Sequence, residues 1–360
     1  MATAPDDIVS NRSEIVFLYD AVDANPNGNP LSGANRPRID PQTQQAIVTD
    51  VRLKRYLRDQ LADDGDGVYI RNVRGDEGYA QTREALLEAC VTDTLERIEE
   101  VGLDEIEDEE LTERAFGEFL AESADVRYFG ATMSIDASKA LGKIEDALPN
   151  HFTGPVQFSP GKTLHAVNEN EGYNSLTSVI ATQERKEQGG FGLDDHRIQY
   201  GLIAFHGLVD EHGATDTRLT DEDVSRLDTL CWRAIKNQTV TRSKVGQEPR
   251  LYLRVEYDGE SYHVGGLAHD LSLDEERSKS EDELRTVRDL SLDVTELVDR
   301  LDGTDRIDTV HVVASDVLSI TYDGESGGPK LLYNELENAI EDGAVNVIDV
   351  YGDSPATPTE

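Results

Sequence analysis

The first quarter of the chain alternates strand and helix patterns around one long irregular loop, and this order strongly constrains the fold. Residues 15–19 (IVFLY) have the β-branched and aromatic content of a buried strand. Residues 23–41 are rich in proline, asparagine and glycine, which predicts a loop built from turns. Residues 50–61 repeat leucine at every fourth position, as a helix does along its buried stripe, and residues 68–73 (VYIRNV) return to a strand pattern. This order predicts the opening of an α+β sandwich of ferredoxin or RNA-recognition type.

Later segments continue the same mixture of strands and helices. Strand patterns occur at residues 126–133, 154–167, 199–209, 251–257 and 309–314, and a helix pattern at 220–236. Residues 99–125 are strongly acidic with helical propensity, which predicts a solvated helical insertion. Residues 270–305 are also acidic, and we expect them to lie at the periphery.

We therefore expect one domain over residues 14–352, with a flexible amino terminus (1–13) and a disordered tail (353–360). The expected insertions span residues 79–125 (acidic and helical), 134–195 (with a hairpin) and 258–305 (acidic).

The chain is extremely acidic, with 34 Lys and Arg residues, 73 Asp and Glu residues and a formal charge of -39. We interpret the acidity as adaptation to molar salt, where the Debye length falls to about 3 Å. The alternative is an acidic, disordered interaction protein, but the recurring apolar strand patterns argue against it. Overall charge is then a poor guide to partners, and local charge has to be considered instead.

The two cysteines, Cys90 and Cys231, have no Cys or His neighbour at metal-ligand spacing. They indicate a reducing compartment, with neither a disulfide framework nor a zinc site. No apolar run approaches the length of a membrane span, and the amino terminus lacks an apolar signal core. We expect a soluble cytoplasmic protein with no membrane partner, no cofactor and no metal.

Cations concentrate in a few places against this acidic background. The seven residues from Arg52 to Arg58 include four cations and no acid, a pattern that suggests binding of a polyanion. Three regions are poor in acids: residues 36–58, 147–168 and 233–254. They either converge on one polyanion-binding surface or form separate structural ion pairs.

The loop around Asn25, Asn27 and Gly28 begins like a calcium-binding loop, but Ala34 stands where the closing glutamate is required. Its asparagines either satisfy the backbone of their own loop or donate to phosphate and ribose in a groove. Similarly, Lys162 follows Gly161 as in a nucleotide-binding P-loop, but Val156 replaces the required glycine. Lys162 is either a turn lysine or an isolated phosphate contact.

Fragments of the RNA-recognition signature occur at residues 127–131 and 190–192, but neither is complete, so base stacking on a sheet face is not supported. The sequence contains no HExxH or GxSxG motif, and its histidines are scattered. Catalysis is therefore unsupported.

In combination, NPNGNP, RPRID and IVTDVRLKRYLRDQL resemble the backbone subunit of the Cascade complex of type I CRISPR systems. This family belongs to the repeat-associated mysterious protein (RAMP) superfamily, and the resemblance is to the branch found in type I-B complexes. The segments GPVQFSPGKTL, HRIQYGLIAFHG and TRSKVGQEPRLYLRVEY are similar to further family segments in the same order. The resemblance spans most of residues 14–257.

The resemblance implies an RNA-recognition-like palm with an antiparallel sheet, elaborated by finger and thumb insertions. It implies a non-catalytic role, in which several copies line up along one crRNA and hold it for pairing with target DNA. The implied partners are crRNA, target DNA through the guide, other copies of the chain, and the other Cascade subunits with their effector helicase-nuclease. Those subunits are the large subunit, the small RAMP subunit and the repeat-processing endonuclease.

Carried over by position, the resemblance places RNA contacts in two sets. The first lies in the loop and the basic helix: Asn25, Asn27, Gly28, Arg36, Arg38, Arg52, Lys54, Arg55 and Arg58. The second lies further along the chain: Phe158, Lys162, His165, Arg242 and Lys244. Two other functions remain open, an endoribonuclease of the same superfamily that processes repeat RNA and an unrelated cytoplasmic enzyme from a halophile.

Overall fold

The computed structural model describes residues 7–29, 35–70, 82–133, 140–170, 175–178, 190–193, 195–340 and 344–352. Its helices are α1 (Asp50–Asp63), α2 (Arg83–Cys90), α3 (Thr92–Val101), α4 (Asp108–Ala121), α5 (Ala124–Phe129), α6 (Ala140–Ala147), α7 (Glu211–Thr217), α8 (Asp221–Gln238), α9 (Thr295–Asp302) and α10 (Pro329–Ala339). Short 3-10 helices lie at Leu103–Glu105, Leu267–Asp270, Glu281–Glu283 and Val287–Asp289.

The strands of the first half are β1 (Ser13–Ala24), β2 (Ile47–Val48), β3 (Gly130–Thr132), β4 (His151–Thr153), β5 (Val156–Phe158), β6 (Gly161–Thr163), β7 (Glu169–Asn170), β8 (Ser175–Ser178) and β9 (Gly190–Leu193). Those of the second half are β10 (Arg197–Val209), β11 (Gln247–Tyr257), β12 (Ser272–Leu273), β13 (Ser291–Asp293), β14 (Ile307–Ala314), β15 (Ser319–Tyr322), β16 (Glu325–Gly327) and β17 (Ala344–Val347).

A large mixed sheet organises the fold, and β1 lies in its middle. The strand order is β17-β14-β11-β1-β10-β6-β2, and β5 and β7 also pair with β10. β1 runs antiparallel to both neighbours, with Phe17 opposite Phe205 of β10 and Tyr252 of β11. β17 is parallel to β14 at one edge. The predicted mixture of α and β structure is confirmed.

Both faces of the sheet are covered, because alternate residues of β1 point to opposite sides. Phe17 and its same-face neighbours share one buried apolar cluster with the stripes of α1 and α8, which include Leu57 and Leu227. Val16 and the residues that share its face pack against the carboxyl-terminal part of the chain, including Leu292. The apolar run of β1 is continuous because neither side of the strand faces water.

The acidic residues 270–305 therefore do not lie at the periphery, as their charge had suggested. Leu271, Leu284 and Leu290 are buried in the cluster that covers the sheet face, while the acidic side chains between them lie outside it. Strands β12 and β13 of this segment form a separate four-stranded sheet with β15 and β16, which follow it in the chain.

A third apolar cluster is formed by the helices of the acidic insertion together with α6, which follows it in the chain. It includes Leu87, Leu111, Phe119 and Ile144, from α2, α4 and α6. The predicted helical structure of residues 99–125 is thus confirmed. This unit joins the rest of the protein through α5, where Tyr128 is part of the cluster beneath α1 and α8.

Two predicted strands are wrong in the described residues. Val68–Ile70 form no ladder, because the N–H groups of Tyr69 and Ile70 donate to Asp125 at 2.7 and 3.1 Å; residues 71–73 lie outside the described residues. Residues 126–133 begin as helix α5 and only then form the short strand β3. Gly130 ends the helix with φ 72°, a conformation that favours glycine.

The two helices that pack on the sheet start with side-chain caps. Thr49 accepts a hydrogen bond from Arg52 N at the start of α1, and Thr220 forms a capping box with Asp223 at the start of α8. In the described parts of the chain, none of the helices has both the length and the apolar character needed to cross a bilayer.

Candidate nucleic-acid interface

Four segments meet where β1 ends at Ala24. The loop that follows β1 is bound to the turn between α8 and β11, since Asn25 N donates to Ser243 O at 2.7 Å. The same loop is bound to the start of α1, because Thr49 Oγ1 donates to Asn27 Oδ1 at 3.0 Å. β10 also begins here, with Ile198 opposite Ala24. The structure thus brings together the first and third acid-poor regions of the sequence.

We call Arg36, Arg52, Arg242 and Lys244 the cationic end of the sheet. Arg52 and Lys244 are neighbours, and in the described part of the chain neither lies within ion-pair distance of a carboxylate. The Arg52 guanidinium lies 5.6 Å from the centre of the Tyr56 ring. The Lys244 ammonium donates to the backbone oxygen of Asn25.

The electrostatics of this pair favour an anion. Burial lowers the pKa of Lys244 to about 7, and the nearby positive charge of Arg52 adds to this effect. Two cations close together, one of them poorly hydrated, repel each other unless an anion lies between them. A phosphate group would stabilise both charged forms and accept hydrogen bonds from both side chains.

Arg36 and Arg242 are the exposed members of the cationic end, with 52% and 57% of their side chains accessible. Arg242 Nη2 lies 3.1 Å from a carboxylate oxygen of Asp195. Arg36 Nη1 lies 3.8 Å from Glu169. Both arginines can reach a ligand in solution, but each has an acidic neighbour in the free chain.

The two loop asparagines are buried, with exposed fractions of 2% for Asn25 and 4% for Asn27. Asn25 Nδ2 donates to the backbone oxygen of Asn35 at 2.6 Å, and Asn27 accepts from the Thr49 hydroxyl. Their side chains thus satisfy groups of their own loop and of the adjoining helix start. Gly28 lies where a Cβ would come within 2.2 Å of the Asn35 side chain, so this turn needs glycine.

The three cations of α1 that follow Arg52 are paired within the protein. Lys54 is buried, its Nζ donates to Gln157 at 2.7 Å, and burial lowers its pKa. Arg55 forms an ion pair with Asp59 at 2.8 Å, one helical turn further along. Arg58 Nε donates to Asp125 at 2.9 Å. For these three residues, the free chain therefore fits the second alternative, in which the cations have structural partners within the protein.

The same holds for the remaining cations of the third acid-poor region. Each has a carboxylate partner: Arg233 pairs with Asp64, Lys236 with Glu248 at 3.4 Å, Arg250 with Asp20 at 2.9 Å and Arg254 with Asp228 at 2.7 Å. Each alternative therefore describes part of the molecule. A few cations of the acid-poor regions lie together at one end of the sheet, and most of the others form structural ion pairs.

In the second acid-poor region Phe158 and His165 are core residues, exposed by 6% and 2%. His165 accepts from Leu202 N at 3.3 Å, stacks on Tyr200 with 5.5 Å between ring centres, and has a pKa lowered by burial. Lys162, in contrast, is exposed on β6. It lies opposite Ile47 of β2, on the strand pair that extends the sheet towards the loop.

Arg38 lies near this edge of the sheet. Its backbone oxygen accepts from Ile47 N at 2.7 Å, next to β2. Its side chain is half-buried, and Nε is buried without a hydrogen-bond partner among the described residues. Lys162 and Arg38 thus both lie next to β2, the strand at the edge of the large sheet.

The covered sheet limits what such a surface can bind. Proteins that read single-stranded RNA on a sheet stack the bases on exposed aromatic rings. Here the aromatic residues of β1 and its neighbours, Phe17, Tyr19 and Phe205, are fully buried. The cationic end instead offers guanidinium and ammonium groups. Such groups contact phosphates, and phosphate contacts carry no sequence information.

Sequence reasoning missed three residues at this end: Glu169, Asp195 and Arg197. Arg197 donates to Asp195 and to the backbone oxygen of Asp23 at 3.0 Å, which holds the end of β1 against β10. No sequence signal marked them, because an arginine among acids is ordinary in so acidic a chain. Among the described residues, no group of three or more His, Cys, Asp or Glu side chains is arranged to hold a metal ion.

Comparison with known proteins gives a consistent result. Residues 11–295 match the model of a family described as CRISPR-associated protein Cas7. A protein of that name from Haloferax volcanii is 50% identical over 347 residues, covering 94% of this chain and 97% of the relative.

Two solved structures resemble the fold more distantly. A chain of a "CRISPR RNA-guided surveillance complex, pre-nicking" has a TM-score of 0.44 and 12% identity, and covers 91% of this chain and 100% of its own. A chain of a "CRISPR RNA-guided surveillance complex" has a TM-score of 0.40 and 13% identity with the same coverage. Scores this low support no conclusion about this chain.

Proposed function

The chain belongs to the Cas7 family of CRISPR-associated proteins, as the resemblance in its sequence predicted, and we propose that it is the crRNA-binding backbone subunit of a type I-B Cascade complex. The observation that carries the proposal is the cationic end of the sheet. Arg52 and Lys244 lie together without a carboxylate partner among the described residues of a chain of charge -39. A phosphate of the guide is the anion that fits them.

The strand order supports an RNA-recognition-like palm as the centre of this subunit. The chain passes through β1, α1, the β5/β6 segment, β10, α8 and β11, with an extra helical unit inserted after α1. In the sheet these strands take the order β11-β1-β10-β6, all antiparallel, with both helices on one face. In this proposal the helical unit is one of the insertions that elaborate the palm, within one domain over residues 14–352.

The proposed role is scaffolding without catalysis. Several copies bind one guide RNA through its phosphates, so that its bases stay available for pairing with target DNA. The partners are the crRNA, neighbouring copies and the other Cascade subunits. The extreme acidity and the relative from Haloferax volcanii accord with assembly in high salt, where direct short contacts replace diffuse attraction.

The proposed RNA contacts centre on the cationic end and on the two cations next to β2: Arg36, Arg38, Arg52, Lys162, Arg242 and Lys244. Asn25, Asn27 and Gly28 shape the loop that carries the contacts. Lys54, Arg55, Arg58, Phe158 and His165 already have partners or core positions in the free chain, and they contribute by holding this end of the sheet in shape.

The test is to purify the tagged full-length chain from a halophilic host in molar KCl and to sequence the RNA that accompanies it. Spacer-repeat units that are lost in the Arg52→Gln/Lys244→Gln double variant would support the proposal. The matched control is Arg277→Gln/Lys279→Gln, which removes two exposed, carboxylate-paired cations from the carboxyl-terminal part. Absence of RNA from the wild type, or cleavage of added repeat RNA by the purified chain, would contradict a scaffolding role.

A further inference from the structure

Asp195 lies between two arginines that differ in their exposure. Its carboxylate accepts from Arg197 at 2.7 and 3.1 Å, and a nitrogen of Arg242 lies 3.1 Å away. The side chains of Asp195 and Arg197 are 11% and 13% exposed, whereas Arg242 is 57% exposed. Asp195 is therefore anchored on its inner side by Arg197, and Arg242 holds it from the solvent side.

Glu169 and Arg36 repeat this arrangement on the neighbouring strand. Glu169 is 18% exposed and lies 2.6 Å from His196 Nδ1, on a histidine that is 8% exposed. On its other side lies Arg36, which is 52% exposed, at 3.8 Å. β7 pairs with β10 so that Glu169 is opposite Ile198. The two carboxylates thus lie at the same end of the sheet, and each lies between a buried nitrogen-bearing side chain, Arg197 or His196, and an exposed arginine.

The chemistry of the two exposed arginines allows an exchange of anions. A carboxylate and a phosphate present similar oxygen atoms to a guanidinium, and both accept its paired N–H groups. Asp195 remains ionised, because the hydrogen bonds from Arg197 hold its pKa below the usual range. In the free chain its negative charge therefore lies beside Arg242 and opposes the approach of a polyanion.

We propose that Asp195 and Glu169 are competing carboxylates, which hold Arg242 and Arg36 in the free chain and give way to phosphates of the bound RNA. This inference rests on the proposed function and adds a selectivity to it. An anion with one phosphate gains little by displacing a tethered carboxylate, whereas a long strand engages Arg52, Lys244 and the exposed arginines together. The two acids thus discriminate against small anions and short, loosely held strands.

The test measures binding of a fluorescein-labelled oligouridine to the purified full-length chain at constant KCl concentration. Asp195→Asn and Glu169→Gln each raise the affinity about two- to fivefold, the range expected when an exposed ion pair no longer competes. The matched control is Asp270→Asn, which makes the same charge change at the Arg300 pair in the carboxyl-terminal part and leaves the affinity unchanged.

A double-mutant cycle identifies the route of the effect. If Asp195 acts through Arg242, the gain from Asp195→Asn disappears in an Arg242→Gln background. An unchanged affinity in both single variants, or an equal rise in Asp270→Asn, would overturn the inference. If Asp195→Asn unfolds the chain by removing the partner of Arg197, Glu169→Gln carries the same test alone. Failure of the wild type to bind oligouridine would instead count against the proposed function.

Discussion

Arg58 Nε donates to the fully buried carboxylate of Asp125 at 2.9 Å, and this contact joins α1 to α5. The same carboxylate accepts from the N–H groups of Tyr69 and Ile70. The Arg58 guanidinium also lies 5.1 Å from the centre of the Phe129 ring. Asp125 thus holds together three parts of the chain: helix α1, the segment at Tyr69 and Ile70 that follows it, and helix α5, which connects the acidic helices to the sheet.

The first prediction concerns stability. Arg58→Gln lowers the free energy of unfolding by about 2 kcal/mol, because Asp125 stays buried and loses its charged donor. Arg55→Gln makes the same charge change at an exposed helical pair and costs less than about 0.5 kcal/mol. Denaturant unfolding at constant molar KCl measures both. If Arg58→Gln lowers the free energy of unfolding no more than Arg55→Gln does, the Arg58 contact does not stabilise the fold.

The second prediction concerns the salt dependence of binding. Arg52→Gln weakens oligouridine binding and reduces the slope of log K against log salt by about 0.7, the value for one lost phosphate contact on a single strand. Arg254→Gln, at the buried pair with Asp228, costs about 3 kcal/mol of stability and leaves the slope unchanged. Titrations at several KCl concentrations separate the two. An unchanged slope in Arg52→Gln would remove this residue from the interface.

The third prediction concerns pH. Lys244 has a pKa of about 7 in the free chain, and a bound phosphate favours its charged form, so binding takes up a proton. Affinity for oligouridine is therefore highest below pH 7 and falls as the pH rises above it. Lys244→Arg, which stays charged, abolishes this part of the fall. The measurement is affinity from pH 6 to 9 at constant salt, with the folded fraction of each protein checked. Parallel pH profiles for the two proteins would refute the assignment.

The fourth prediction concerns acid stability. Glu14 is fully buried and accepts hydrogen bonds from Gly265 N, Leu267 N and Tyr257 OH. Burial alone would raise its pKa, but the hydrogen bonds with His206 and from Leu267 N and Gly265 N prevail and lower it to about 2. Its ionised form therefore contributes stability that is complete above about pH 4.5 and is lost as the pH falls towards 2.

The corresponding experiment uses Glu14→Gln, which lowers the free energy of unfolding at pH 7 by about 2 kcal/mol. The difference from the wild type shrinks as the pH falls from about 4.5 to 2, since the wild type then loses the same charge. Denaturant unfolding across this range measures the difference. A difference that stays constant with pH would show that the charge of Glu14 is not what stabilises the loop at Gly265.

Much of the secondary structure could be predicted from the sequence because the signals are local. Leucine at every fourth position marks α1, and the apolar runs of β1, β10 and β11 mark strands buried on both sides. The strand predicted at residues 68–70 was wrong, because the N–H groups of Tyr69 and Ile70 donate to a carboxylate more than 50 residues away in the sequence. A local pattern contains no information about such a contact.

The candidate site shows the same division. The concentration of cations between Arg52 and Arg58 was visible in the sequence, but not which of them would be paired. Lys54 and Arg58 find partners in Gln157 and Asp125, far along the chain, while Arg52 lies near Lys244. These seven residues thus include cations with structural partners and one, Arg52, that has no carboxylate partner among the described residues, and only the tertiary contacts distinguish them.

Helices cover one face of the central sheet and the carboxyl-terminal part covers the other. A bound RNA strand can therefore contact the sheet only along its rim, where the strands end. A rim offers a handful of contacts per protein molecule, so a single copy holds its ligand briefly. Durable retention then comes from avidity, since a neighbour already on the same strand raises the local concentration of the next site. A fold with both sheet faces covered is therefore suited to binding as several adjacent copies on one strand.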